Sequence, residues 1–365
     1  MTPLAELTAD RIERLPRMSQ IDWKTPFTFG GLAAVVVALL ALELMIGPVR
    51  VPLSATVATL AGRPVERASW TTIIWTLRLP RAITAMVAGA ALACAGLQMQ
   101  TLFRNPLADP WILGIVAGAR LGVAVTAALV SLGGMGLLGA LGWVANASLI
   151  ASAMAGAAAG LAVLIVLARR VAPVTLLILG LVSDYVVTGL ISVVLHFTTE
   201  IQGQAFEGWD DGRFSGVTWN ELGVLVALVA AGACIAASLV KPLNAMLLGD
   251  RYAASVGTNV RAMRRWSLVS TALLAGGVTA YCGPVSFIGV AVPHLCRGLF
   301  RTSDHRTLVS AVVLVGAILA QTADFVTNLP WPRHFLHLNA CNALLGGPVV
   351  LWIVLRNRAM RELSM

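Results

Sequence analysis

The chain has 365 residues, of which 58% are hydrophobic and only 12% charged, with a formal net charge of +9. A soluble domain carries about 25% charged residues, so a water-soluble globular protein is excluded on composition. The basic balance would suit nucleic acid, but nearly all of it is arginine between apolar runs, which points to a membrane instead.

The first 23 or so residues are polar and include Glu6, Asp10 and Glu13. Residues 1–26 are expected to form a cytoplasmic tail. Leu4, Leu7, Ile12 and Leu15 lie near helical spacing, which leaves a surface-lying helix and an unstructured tail equally open. Residues 27–365 are expected to form one transmembrane domain. The first apolar run is long enough to span and reads as an anchor, not a cleaved leader. Apolar runs of about 20 residues mark roughly ten spans, at 28–47, 80–103, 111–131, 143–168, 174–198, 221–241, 262–282, 285–298, 306–328 and 336–355. The eighth is short for a full crossing. The fold class is therefore an all-α integral membrane bundle of about ten helices. With the N-terminus inside, the outer segments hold only Arg50, Arg63, Arg67, Arg78, Arg81, Arg213 and Arg333. The inner ones hold the larger share, which puts both termini on the cytoplasmic side. The five cysteines show no CxxC spacing and read as small apolar residues, and no metal site is expected.

The most specific stretch runs from Arg78 to Gly118. It contains Arg78-Leu79-Pro80-Arg81, then Gly89, Leu92, Gly96 and Gln100, then Asn105-Pro106-Leu107-Ala108-Asp109-Pro110 and Leu113-Gly114. As a set this resembles the FecCD/BtuC-like permeases, the membrane subunits of ABC importers for iron–siderophore complexes, haem and cobalamin. Further matches are Trp209, Gly212, Phe214, Gly216 and Trp219 in an outer segment, and Gly283 to Arg297 with Gly289, Pro293 and His294. Asp304-His305-Arg306, Asp324 after Ala323, and Leu345-Gly346-Gly347-Pro348 complete them. The resemblance covers most of residues 70–355 and implies a bundle of ten helices.

It also implies roles. Gly249, Asp250, Ala253 and Gly257, within a loop at about 245–260, stand where the family has the coupling helix that docks on the ATPase. Arg78 and Arg81 stand where relatives receive carboxylates of a binding protein. The third family arginine is replaced here by Asn328, and Arg333 is the candidate substitute. Gln100, Asn105, Pro106, Asp109, Gly289, Pro293, His294 and Asp324 are expected to be structural. Asp184 in the fifth span, with His337 and Asn339 near the last, are possible pathway residues, because the resemblance implies that the fifth and tenth spans line the cavity; an intramembrane carboxylate such as Asp184 must in any case face protein or water.

There is no G-x-x-x-x-G-K-[ST], so ATP is not held here by a P-loop. ATP and Mg are expected on a partner ATPase, the chain itself having no cofactor and no catalytic residue. The implied partners are a second copy, two ATPase subunits, a periplasmic binding protein and the inner-membrane bilayer, with no nucleic acid. The expected cargo is a ferric siderophore, with haem next and cobalamin third; His334 and His337 could assist a haem path. A secondary transporter using Asp184 and Asp324 would leave the coupling segment unexplained. A membrane enzyme lacks any convergent nucleophile, base or metal set.

Overall fold

The computed structural model describes residues 24–132, 142–168, 170–171, 173–329 and 336–362. Among these, the chain forms fourteen helices and no strand. The first helix, α1, is Lys24–Met45, followed outside the span by the short α2, Leu53–Leu60. The next helix, α3, runs Ala68–Phe103 without a break and contains a π-helical turn at Ile73–Arg78. Then come α4 (Ile115–Ser131), α5 (Gly142–Ala168), α6 (Pro173–His196) and the short α7 (Glu200–Asp210). After these are α8 (Trp219–Ser238), α9 (Val240–Leu247) and α10 (Asp250–Ser255). The next, α11, is Val260–Thr271, a π-helical turn Ala272–Gly276 and Gly277–Cys282. The last three are α12 (Ile288–Phe300), α13 (His305–Thr327) and α14 (Leu338–Glu362).

Six of these helices are long and apolar enough to cross a membrane. Four more helices stand where spans are expected: the apolar α4, α12 and Leu338–Leu351 of α14 are shorter, and α11 carries Arg261, Arg264 and Arg265 in its first turns. The ten expected spans thus correspond to ten helices. One start differs. The second span is expected from residue 80, but α3 begins a dozen residues earlier, at Ala68. Proline is a common first-turn residue, so Pro80 reads as a helix start. In the structure the π-turn ends at Arg78, just before it, and the loosened hydrogen-bond ladder there accommodates the missing N–H.

Helix α3 is the axis of the bundle: nearly every residue from Ala82 to Phe103 is buried. Small residues let other helices approach it, because lipid provides no hydrophobic drive for helix association. A Cβ on Gly96 would lie 2.0 Å from the Gly289 carbonyl oxygen of α12. One on Gly89 would lie 2.2 Å from the Gly316 carbonyl oxygen of α13. A second such seam joins α4 to α5 through Gly118 and Gly156. Two apolar cores result. One lies among α3, α8, α11, α12 and α13, and the other among α4, α5, α6 and the C-terminal end of α3.

Candidate functional site

The motif residues after α3 close on one another across the chain. Arg104 ends the helix with a left-handed backbone, φ 47°. Asn105 Oδ1 accepts from Leu107 N at 2.9 Å, an Asx turn that starts the Asn-Pro-Leu-Ala-Asp-Pro corner. Asp109 caps the next turn, accepting from Trp111 N at 3.0 Å. From the other side, His294 Nε2 bonds the Pro106 carbonyl at 2.8 Å. Arg297 Nη1 donates to Gln100 Oε1 at 2.6 Å, and Gln100 Nε2 donates to the Val290 carbonyl at 3.1 Å. Gly289 leaves room for the Asp109 carboxylate: a Cβ there would lie 3.2 Å from both of its oxygens. Gln100, Asn105, Pro106, Asp109, Gly289 and His294 therefore form one joint between α3 and α12, and Pro293 is buried beside it. Burial raises the Asp109 carboxyl from its ordinary 3.8 to about 6, against the Trp111 N–H that favours its charged form.

The segment expected to couple to an ATPase is a single helical turn and a half. Gly249 enters α10 at φ 115° and Gly257 leaves it at φ 85°, backbone states that a Cβ resists. Thr258 N donates to the Ala253 carbonyl at 2.9 Å and Gly257 N to that of Ala254 at 3.1 Å, closing the C-terminus. Ala253 is fully buried against the chain's own core with Leu243, Met246 and Met263. The Asp250 carboxylate is shared by the guanidiniums of Arg104 and Arg264, so the end of α3 and the start of α11 both hold α10. Around it Leu248, Tyr252 and Val256 are exposed.

At the opposite end stand the arginines expected to meet a binding protein. Arg78 is turned inward: Nη1 donates to the Leu44 carbonyl at 2.7 Å and Nη2 to that of Val49. Arg81 forms a bidentate pair with Asp324, Nε to Oδ2 at 2.8 Å and Nη2 to Oδ1 at 2.8 Å, and also reaches Thr327 Oγ1 at 3.2 Å. Asn328, in the position of the missing arginine, donates to Asp324 Oδ2 at 3.2 Å. Arg333 lies outside the described residues, as does His334.

The possible pathway residues separate. Asn339 Oδ1 accepts from Ser286 N at 3.0 Å, and its Nδ2 donates to the Pro284 carbonyl at 2.9 Å and the Asp211 carbonyl at 3.0 Å. His337 Nδ1 lies 3.0 Å from Asp211 Oδ2. Both tie α14 to the end of α7. Asp184 is elsewhere, on α6, and its Oδ1 has no hydrogen-bond partner among the described residues. Its surroundings include a pair that sequence reading misses: Arg120 of α4 clasps Asp210 of α7, Nε to Oδ1 at 2.8 Å and Nη2 to Oδ2 at 2.9 Å. The available signal is a lone arginine inside an apolar span, which requires a partner.

The sequence matches the FecCD transport family across residues 35–356. The chain belongs to the FecCD transport family. Among its relatives is the vitamin B12 import system permease protein BtuC of Klebsiella pneumoniae subsp. pneumoniae. It is 34% identical over 286 residues, 78% of this chain and 83% of that protein. The BtuC permease of Citrobacter koseri is 32% identical over the same shares. Among solved structures, an inward-facing metal-chelate type ABC transporter superposes with a TM-score of 0.78, covering 91% of this chain and 99% of that one. At 24% identity it bears on the fold alone. This FecCD chain is thus an all-helical, multi-pass membrane protein with an ABC-permease fold.

Proposed function

We propose that this FecCD chain is the permease subunit of an ABC importer, working as a homodimer with two ATPase subunits that bind ATP and Mg. The observation that carries the reading is α10. It is a short helix entered and left through positive-φ glycines, seated by Ala253 and held by Asp250 to α3 and α11 at once. A push on α10 from a partner is thereby delivered to the two helices that run through the core. The exposed Leu248, Tyr252 and Val256 supply the contact. Both termini lie on this inner side. On the outer side a substrate-binding protein docks by its carboxylates on Arg78 and Arg81, each of which must share or exchange a present partner to receive one, Arg78 its backbone carbonyls and Arg81 the Asp324 carboxylate.

The cargo is proposed to be a metal chelate. Within that class a cobalamin-type corrinoid now stands ahead of a ferric siderophore, and haem behind both, because the relatives at 32–34% identity are named as vitamin B12 permeases. The test is ATPase activity and uptake by the reconstituted complex with its binding protein, across cobalamin, ferric siderophores and haem. ATP-dependent uptake of one ligand supports the importer and names the cargo. Uptake driven by a proton gradient without ATP overturns the reading.

A further inference from the structure

A cavity of about 760 Å³ opens at the inner end of the bundle, and the transport reading makes no use of it. It lies where the end of α5 and the following turn face the first turns of α11. Its polar side is Arg170, Arg261, Arg264 and Arg265, and its apolar side Ile165, Ala168, Val171 and Leu268. Among the described residues no carboxylate lines it. Asp250 holds one nitrogen of Arg264, but Arg264 Nε is buried with no hydrogen-bond partner among the described residues. Among those residues Arg170, Arg261 and Arg265 form no ion pair. Four guanidiniums around one cavity repel each other until an anion joins them. The N-terminus of α11 adds to the field, since Asn259 and Ala262 also line the space.

The apolar wall decides the kind of anion. A free phosphate has no use for Ile165, Val171 and Leu268, whereas an amphiphile fills both sides. Beside the cavity, Val163 and Val166 of α5 are exposed, as is Trp266 of α11 next to Arg265. Exposed apolar residues with a Trp at a helix end mark the lipid–headgroup boundary. Basic pockets between helices at that level take anionic headgroups, and guanidinium matches phosphate in bidentate fashion. We infer that this cavity binds the phosphate headgroup of an anionic phospholipid, with acyl chain against Ile165, Ala168, Val171 and Leu268.

The test uses the full chain purified in detergent with whatever subunits accompany it. Phosphatidylglycerol, cardiolipin, phosphatidylcholine and inorganic phosphate are added separately, and retained lipid is counted by native mass spectrometry beside the thermal transition. The expected result is retention of phosphatidylglycerol and cardiolipin at least about tenfold over phosphatidylcholine, with a raised transition. In the double variant Arg261→Gln/Arg265→Gln this preference falls at least about fivefold, while Arg261→Lys/Arg265→Lys keeps most of it. If the glutamine variant fails to fold, the single variant Arg170→Gln, on the opposite wall, is read in the same way. Equal binding of phosphatidylcholine, or unchanged lipid retention in the glutamine variants, overturns the site. Equal stabilisation by inorganic phosphate makes it a free-anion site and also overturns it. Loss of a copurifying ATPase with lipid retention intact assigns the arginines to that subunit instead, and the proposal falls.

Discussion

Replacing Gly96 by alanine tests the packing at the centre of the bundle. The added Cβ would sit 2.0 Å from the Gly289 carbonyl oxygen and 2.6 Å from the Gly289 Cα, all of it backbone. No rotamer can relieve such a clash. An ordinary contact needs about 3.5 Å, so α3 and α12 must part locally by about 1.5 Å. Overpacking of this kind costs about 1–3 kcal/mol, and rigid backbone on both sides places it at the upper end. The Gln100 to Val290 hydrogen bond, 3.1 Å long, crosses the same seam, and its loss adds about 1 kcal/mol. Alanine returns about 0.5–1 kcal/mol through lower backbone entropy in a helix. The net loss is about 3 kcal/mol. The assay is thermal unfolding in detergent, with Gly30→Ala as control, since no atom lies within 4 Å of a Cβ there. At about 2–4 °C per kcal/mol, Gly96→Ala should melt about 6–12 °C lower while Gly30→Ala stays near wild type. Equal transitions in the two variants would refute the close approach of α3 to α12.

Asp324→Ala should destabilise by about 3–5 kcal/mol, because it strands the Arg81 guanidinium beside a site that is 2% exposed. Arg81→Met/Asp324→Leu should recover much of that loss, and additive losses in a double-mutant cycle would refute the pairing. Asp250→Ala breaks one exposed ion pair, to Arg104, and one with the partly buried Arg264, so stability should move by only about 1 kcal/mol. Binding-protein-stimulated ATPase and uptake should nevertheless fall at least about tenfold; unchanged coupling would remove α10 from the mechanism. Asp109 holds a proton in the folded state between 3.8 and about 6, where the unfolded chain has released it. Its contribution to stability is therefore present below pH 3.8 and is lost as pH rises to about 6. Asp109→Asn keeps the acceptor for Trp111 N and should flatten that fall, which melting curves from pH 4 to 7 would register.

The apolar runs locate all ten main helices, because lipid requires about 20 apolar residues and hydropathy reports that directly. The turn signals are equally direct: Gly249 and Gly257 mark the ends of α10, and Asn105 and Asp109 cap as Asx residues do. The early start of α3 is hidden because Pro80 imitates a helix start and the π-turn leaves no compositional trace. The ion pairs are hidden for another reason. Arg81 and Asp324 are 243 residues apart and Arg120 and Asp210 are 90 apart. Burial says that each needs a partner, but only the fold says which. His337 and Asn339 show the converse: their polar character is legible, but their tie to Asp211 depends on where α7 ends.

The distribution of these ties bears on how the chain moves. Away from α10, Arg81–Asp324 and Arg120–Asp210 are bidentate and largely buried, which makes them hard to break singly. In the middle, glycine seams join α3 to α12 and α13 with backbone against backbone, and α4 to α5 in the same way. By contrast, α10 is held by one exposed and one partly buried pair on Asp250 and by one buried alanine. The least costly place to displace the structure is therefore α10. Displacement there is handed to the ends of α3 and α11, and the seams pass it on as rigid-body motion because they have no side chains to compress. An element tied weakly to its own chain, yet connected to its stiffest helices, is what the proposed ATPase partner would need to move.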